Sequence, residues 1–302
     1  MSKVAASAIA AVVLATLLFQ ASPARGDVKP LTLYQRAGRS PWLVYGEVVS
    51  VDKRFVVVKV IEVLKGGYAG QTFRIIYKLE NFLRKSWEER MEFKGGERAV
   101  FFLKRYDTDR EDRKLDDWMK AEDLFAEAFG AQGKFTMPEE GSSAYLDALR
   151  EFVRVSAIPD PVAQGAALLR FLESQNPHIL QAGLERSLEE KLAGPDQVPL
   201  LLSLTDSARD PVRLDAMQVL QQIALDLAAS GRRLENQADV VNVLKAKAIG
   251  EGGDLYRAEA VKVVAALAGE EERAFLERLS KEDHSQLVRY EAGQSLLSLG
   301  SR

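Results

Sequence analysis

The 302-residue chain contains no cysteine. That absence excludes disulfides, thiol nucleophiles, cysteine-ligated zinc and the cysteine-linked anchor of bacterial lipoproteins. A chain without disulfides must be held by its core, and this length is ample for two cores. Histidine is scarce as well, with only His178 and His284, far apart and both at expected helix starts. They read as surface or cap residues. There is no nucleophile elbow, no glycine-rich phosphate loop and no zinc-binding histidine pair on a helix. No catalytic, cofactor-binding or metal-ligating residue is therefore assigned, no binding residue is singled out, and the chain reads as a non-enzyme. An excess of positive charge is also missing: 41 basic side chains face 44 acidic ones. This argues against non-specific nucleic-acid binding.

Long apolar runs are absent but for one. Val4–Phe19 is uncharged and apolar, follows Lys3, and precedes a region of small residues around Pro23. Ser22 and Ala24, or Ala24 and Gly26, have the spacing that a signal peptidase reads. Sixteen residues rise about 24 Å as a helix, short of a hydrocarbon core of roughly 30 Å. Residues 1–26 are expected to be a cleaved signal peptide, with an uncleaved anchor as the alternative. The protein is then exported, periplasmic or extracellular, with no stable membrane insertion. Cleavage removes Lys3 and Arg25 and no acid, leaving 39 basic and 44 acidic side chains and a net charge of −5.

What is present falls into two halves with different periods. From Trp42 to Met137 the segments WLVYGEVVSV (42–51), RFVVVKVIEVLK (54–65), QTFRIIY (71–77) and ERAVFFLK (97–104) are short and rich in Val, Ile and Phe. Turn residues separate them, including Gly66-Gly67, Gly70 and Gly95-Gly96. One or two further strands are expected in 123–137. Five or six short strands without alternating helices predict a small antiparallel barrel. Two inserts interrupt it. Leu79, Phe82, Leu83, Trp87 and Met91 have helical spacing over 78–93. Residues 106–123 carry twelve charges in eighteen positions and read as a solvated loop. Asp107, Asp109 and Glu111 have calcium-loop spacing there, but Asp112 stands where glycine belongs and Trp118 where a bidentate glutamate belongs, so an EF-hand is excluded.

After Met137 the pattern becomes helical, with Ser142 and Ser143 as candidate N-caps. The boundary is set near 140: residues 27–141 form the β-domain and 142–302 an all-α domain. One phrase recurs in the second: DPVRLDA at 210, DLYRAEA at 254, QLVRYEA at 286, and the looser DPVAQGA at 160 and NPHILQA at 176. Asp210 is expected to cap a helix and Ala216 to admit a neighbouring one. Arg213 sits where the helix dipole disfavours a cation, so a carboxylate on a neighbouring helix is expected to hold it. The spacings predict four two-helix units over 161–192, 196–229, 236–268 and 270–299, each burying its face against the next. Arg213, Arg257 and Arg289 read as a structural ladder; a basic ligand stripe is the alternative. Trp42 reads as a core residue and Trp118 as exposed. The carboxylate runs of SWEERMEF and GEEERAF read as solvated helix faces.

These phrases resemble the second helices of HEAT repeats across 160–300. WLVYGEVVSV, VIEVLKGGYAGQTFRI, GERAVFFLK and GAQGKF resemble the OB-like barrel of netrin modules and of domains like the tissue inhibitors of metalloproteases. The first resemblance implies a protein-binding scaffold with an unidentified protein partner; export follows from the signal peptide, and no cofactor is expected because no cofactor motif is present. The second implies regulation or inhibition of an extracytoplasmic hydrolase through the barrel's rim loops, although inhibition through a terminal cysteine does not carry over to a chain with none. An enzymatic role, by analogy with HEAT-like bilin lyases, would need a catalytic cluster that the sequence lacks.

Overall fold

Six strands stand where the β-rich segments place them: β1 (Trp42–Val51), β2 (Phe55–Lys65), β3 (Thr72–Ile76), β4 (Arg98–Arg105), β5 (Leu124–Glu127) and β6 (Lys134–Thr136). The computed structural model describes residues 30–52, 55–76, 92–105 and 124–300. The expected signal peptide, nearly all of the 78–93 insert with Trp87, and the 106–123 loop with Trp118 lie outside the described residues. β1 pairs antiparallel with β2 and with β4, β2 with β3, β3 runs parallel to β5, and β5 returns antiparallel to β4. Five strands thus close a ring, which the parallel β3–β5 step keeps from being the wholly antiparallel barrel expected. β6 pairs with Ala99–Phe101 of β4 on the edge away from β1.

The barrel interior is filled by Val44, Val48, Val56, Val58, Phe73, Ile75, Ala99, Phe101, Leu103 and Phe125. Phe73 meets Phe101 and Phe125 edge-on, with centroids 6.0 and 5.6 Å apart, a favoured aromatic geometry. β4 is buried on both faces, which is why its sequence AVFFL does not alternate. Ala99, Phe101 and Leu103 point into the barrel, while Val100 and Phe102 join a second core outside it. Gly46 is required where β1 meets β2: a Cβ there would lie 2.5 Å from Val58 Cγ1 and 2.7 Å from the Lys59 carbonyl oxygen.

The second core joins barrel to helices. The short helix α1 (Leu33–Arg39) supplies Tyr34 and Ala37, and α2 (Ser142–Ser156) supplies Ala148, Leu149, Phe152 and Val155. They pack with Leu43, Val100 and Phe102 of the barrel and with Leu168, Phe171 and Ala182 beyond. Lys65, at the end of β2, donates to the carbonyls of Ala37 and Gly38 at 3.1 and 2.7 Å. It satisfies the exposed C-terminal carbonyls of α1 with a cation where the helix dipole favours one. Leu33–Arg302 accordingly forms one compact unit. α2 is preceded by Gly141 in a left-handed conformation, with no side-chain cap. Ser142 and Ser143, expected as caps, are its first two residues instead.

Eight further helices follow: α3 (Pro161–Leu169), α4 (Pro177–Glu190), α5 (Val198–Leu204), α6 (Asp210–Ser230), α7 (Gln237–Ile249), α8 (Asp254–Ala268), α9 (Arg273–Glu282) and α10 (Gln286–Gly300). Among the described residues they make, together with α2, a nine-helix region following the barrel, an α+β layout. α4 packs on α6, α6 on α8 and α8 on α10, while α5, α7 and α9 each pack on the helix that follows. Ala216, Ala260 and Ala292 are fully buried and Ala182 nearly so, whereas Ala166 is exposed on α3.

One helix contact sets a first prediction. A Cβ on Gly183 of α4 would lie 2.8 Å from the Phe171 Cβ and 3.1 Å from the Leu172 nitrogen. Alanine is the better helix former by roughly 1 kcal/mol, yet Gly183→Ala is expected to destabilise by about 1–3 kcal/mol because the site has no room. Thermal unfolding of the variant checks the sign.

Candidate functional site: a groove across four helices

Helix spacing alone decides which side chains of the second half face outward together. On α6, Gln218, Gln221, Gln222 and Leu225 recur at three- and four-residue intervals and so share one face. The neighbouring rows add Leu188 from α4 and Lys191 just after it, Glu259 and Lys262 from α8, and Glu291, Gln294, Ser295 and Ser298 from α10. They line two adjoining hollows of about 440 and 300 Å³ that share Gln221, Leu225 and Lys262. The result is one groove running across the helix row.

Its fixed charges are largely paired with one another. Lys262 Nζ lies 2.9 Å from Glu259 Oε1 and 3.7 Å from Glu291 Oε1, and Lys191 lies 3.6 Å from Asp226. Burial pulls the Lys262 ammonium down, but hydrogen bonds and charges from Glu259 and Glu291 outweigh it, and its pKa sits above the ordinary lysine value. Lys262 is therefore a permanent cation at neutral pH, unsuited to act as a base or nucleophile. The carboxamides of Gln218, Gln221, Gln222 and Gln294 have no hydrogen-bond partner among the described residues. Each offers two donors and an acceptor. The groove is thus chemically a surface of neutral hydrogen-bonding groups around a half-buried Glu-Lys-Glu cluster with one excess negative charge.

The residues marked in the sequence occupy other places. Arg213 pairs with Asp210 three residues before it and lies 5.3 Å over the ring of Tyr256 on α8. Arg257 has its Asp254 at 3.9 Å and also reaches Asp283, in the turn between α9 and α10. Arg289 has no such aspartate and donates to the backbone carbonyls of Asp283 and His284 at 2.6 and 3.2 Å. Asp210 and Asp254 are first-turn residues whose side chains make no cap bond. Capping falls to Asp160, which accepts from Val162 and Ala163, and to Asn176, which accepts from His178. In two of the three copies the arginine is held partly by an acid in its own first turn, a contact the carboxylate-on-a-neighbouring-helix expectation did not include.

His178 stacks on Tyr145 of α2 with centroids 3.6 Å apart. Burial, and then the Arg209 charge, push its pKa below the ordinary histidine value. His284 is largely exposed beside Asp283 and Arg257. Trp42 packs edge-on against Phe125 at 5.6 Å, with Arg105 over its ring. Glu270, Glu271 and Glu272 pair with Arg273, Arg233 and Lys245. Among the described residues no group of three or more His, Asp or Glu is arranged to hold a metal ion, and no helix is long and apolar enough to cross a membrane. The calcium-loop comparison at 107–118 falls outside the described residues.

The groove is not legible in the sequence, since glutamine and serine on a helix face are equally the composition of a solvated surface. Only the side-by-side packing of α4, α6, α8 and α10 gathers them. No family model matches the chain, and comparison with curated proteins gives no significant match.

Proposed function

We propose that the protein is an exported, non-enzymatic binding protein whose OB-like barrel buttresses a HEAT-like helical stack, and that its groove holds an extended segment of a protein partner. The observation carrying this reading is the set of unpaired carboxamides, three on α6 and one on α10 with α8 between them, beside charges already paired with each other. Carboxamides match the alternating N–H and C=O groups of a peptide backbone, whereas catalysis needs an activated group in fixed geometry. The excess acid in the groove and the net charge of −5 after residue 26 disfavour a polyanion. The ring order of the barrel supports the OB-like resemblance. The succession of helix pairs, with buried alanines at Ala216, Ala260 and Ala292, supports the HEAT-like one.

The test is affinity capture from the exported fraction with the chain from Asp27 onward, in parallel with a Gln221→Arg/Leu225→Asp variant. Leu225 is exposed, and both changes lie on the groove surface, so unfolding should be unaffected. A protein retained by the native chain and lost at least tenfold by the variant supports the reading. Equal retention by both removes the groove as the binding surface, and no retention by either removes a stable protein partner.

A further inference from the structure

The excess negative charge of the groove has an address. Asp226 has Lys191 beside it, and Glu259 holds Lys262 at 2.9 Å. Glu291, on α10, is left with Lys262 at 3.7 Å, too far for a well-formed hydrogen bond. Lys262 cannot turn fully to it without stranding Glu259, whose side chain is only 7 % exposed. The Glu291 side chain is itself 20 % exposed, so it is a half-desolvated carboxylate facing the hollow with its acceptor sites unused. Gln294 and Ser295, three and four residues further along α10, share its face of the helix. They line the same hollow, and neither side chain has a hydrogen-bond partner among the described residues.

We infer that the segment held in the groove carries an arginine seated on Glu291. The inference rests on the groove being a peptide-binding surface and names what the peptide must bring. A segment lying across the helix row displaces the water over Glu291. Without a cation at that point it leaves a buried, uncompensated carboxylate, a cost that rejects it. An acidic side chain there would add repulsion. A guanidinium meets both oxygens of Glu291 with its planar fork and keeps donors for the Gln294 carbonyl and the Ser295 hydroxyl. A lysine ammonium balances the charge as a point donor and cannot reproduce the fork.

A displayed library of random twelve-residue peptides, selected on the immobilised chain from Asp27 onward, supplies the probe. Arginine is expected to dominate one position of the enriched peptides. The most enriched peptide, labelled with a fluorophore, and its arginine-to-glutamine form are then titrated against the native chain and Glu291→Gln by polarisation. The arginine peptide is expected to bind the native chain at least tenfold more tightly than the glutamine peptide, and Glu291→Gln should erase that difference at an unchanged melting temperature. A difference that persists in Glu291→Gln overturns the inference, as does enrichment of lysine in place of arginine or no enrichment at all. Enriched peptides without a basic residue, released by the Gln221→Arg/Leu225→Asp variant, overturn it and leave the groove reading standing. Enriched peptides that this variant binds equally well remove both.

Discussion

Replacing Arg257 with methionine is expected to lower the free energy of unfolding by about 3–5 kcal/mol, the cost of leaving a buried charge without its partner. Arg257 is 2 % exposed. Its guanidinium spends its donors in separate directions: Nε to the Ala248 carbonyl at 3.0 Å and Nη2 to the Asp283 carboxylate, while Nη1 meets His284 Nε2 at 3.0 Å. Ala248 belongs to the last turn of α7, whose carbonyls have no partner within the helix. Asp283 is itself buried, accepts from the Ser285 N–H at 2.9 Å, and offers its backbone carbonyl to Arg289. One side chain thus ties the end of α7 and the start of α8 to the turn that joins α9 to α10. Asp283→Ala should cost a similar amount, because it strands the arginine instead. The double replacement Arg257→Met/Asp283→Ala should cost clearly less than the two single costs added together. Arg257→Lys should recover only part of the loss, since an ammonium cannot reproduce a planar fork. Urea unfolding of the four variants measures the coupling. Single costs below about 1 kcal/mol would place the pair among the weak surface ion pairs and remove its role as a pin between helix pairs.

That arginine also marks how far the sequence could be read. The repeated phrase was legible as a packing problem, and a structural role for its arginine was legible from the dipole that opposes it. The details were not. Asp210 and Asp254 look like caps because aspartate before a helix usually is one, but an arginine three residues later gives each a competing partner in its own first turn. The strands could be read from their Val, Ile and Phe content even in β4, where burial on both faces erases the alternation. The 210, 254 and 286 helices carry apolar residues on more than one side, with Leu225, Leu255, Tyr290 and Leu297 left exposed, but the amphipathic face of α2 was equally plain. What each face meets was not. Leu149 and Phe152 carry the same local signal whether they cover a helix or the outside of a barrel, and the choice is made by contacts far apart in sequence. The groove is the extreme case, because Gln218, Gln221 and Gln222 become a site only when α4 and α8 arrive on either side.

The same long-range contact governs the second large effect. Cutting the chain between residues 141 and 142 is expected to give two fragments, neither of which folds cooperatively alone. The cut passes through the second core. It would uncover Leu43, Val100 and Phe102 on the barrel, and Leu149, Phe152, Val155, Leu168 and Phe171 on the helices, every one of them at most 3 % exposed in the whole chain. Burying a large apolar side chain is worth about 1.5–3 kcal/mol. Three or more such side chains on the barrel piece and five on the helical piece then rival the roughly 5–15 kcal/mol that holds a typical domain together. The barrel piece suffers further, because Lys65 would cap a helix, α1, that has lost its cover of Phe152 and Phe171. Arg150, which reaches Glu62 across the junction at 2.9 and 2.7 Å, is too exposed to offset this. Dye binding and thermal scans of each fragment, alone and mixed, decide the matter. Broad transitions and dye binding alone, with a sharp transition restored on mixing, are expected. A fragment that unfolds as sharply as the whole chain, near the same temperature, would mean that its half keeps its own core and that the shared one only orients the two.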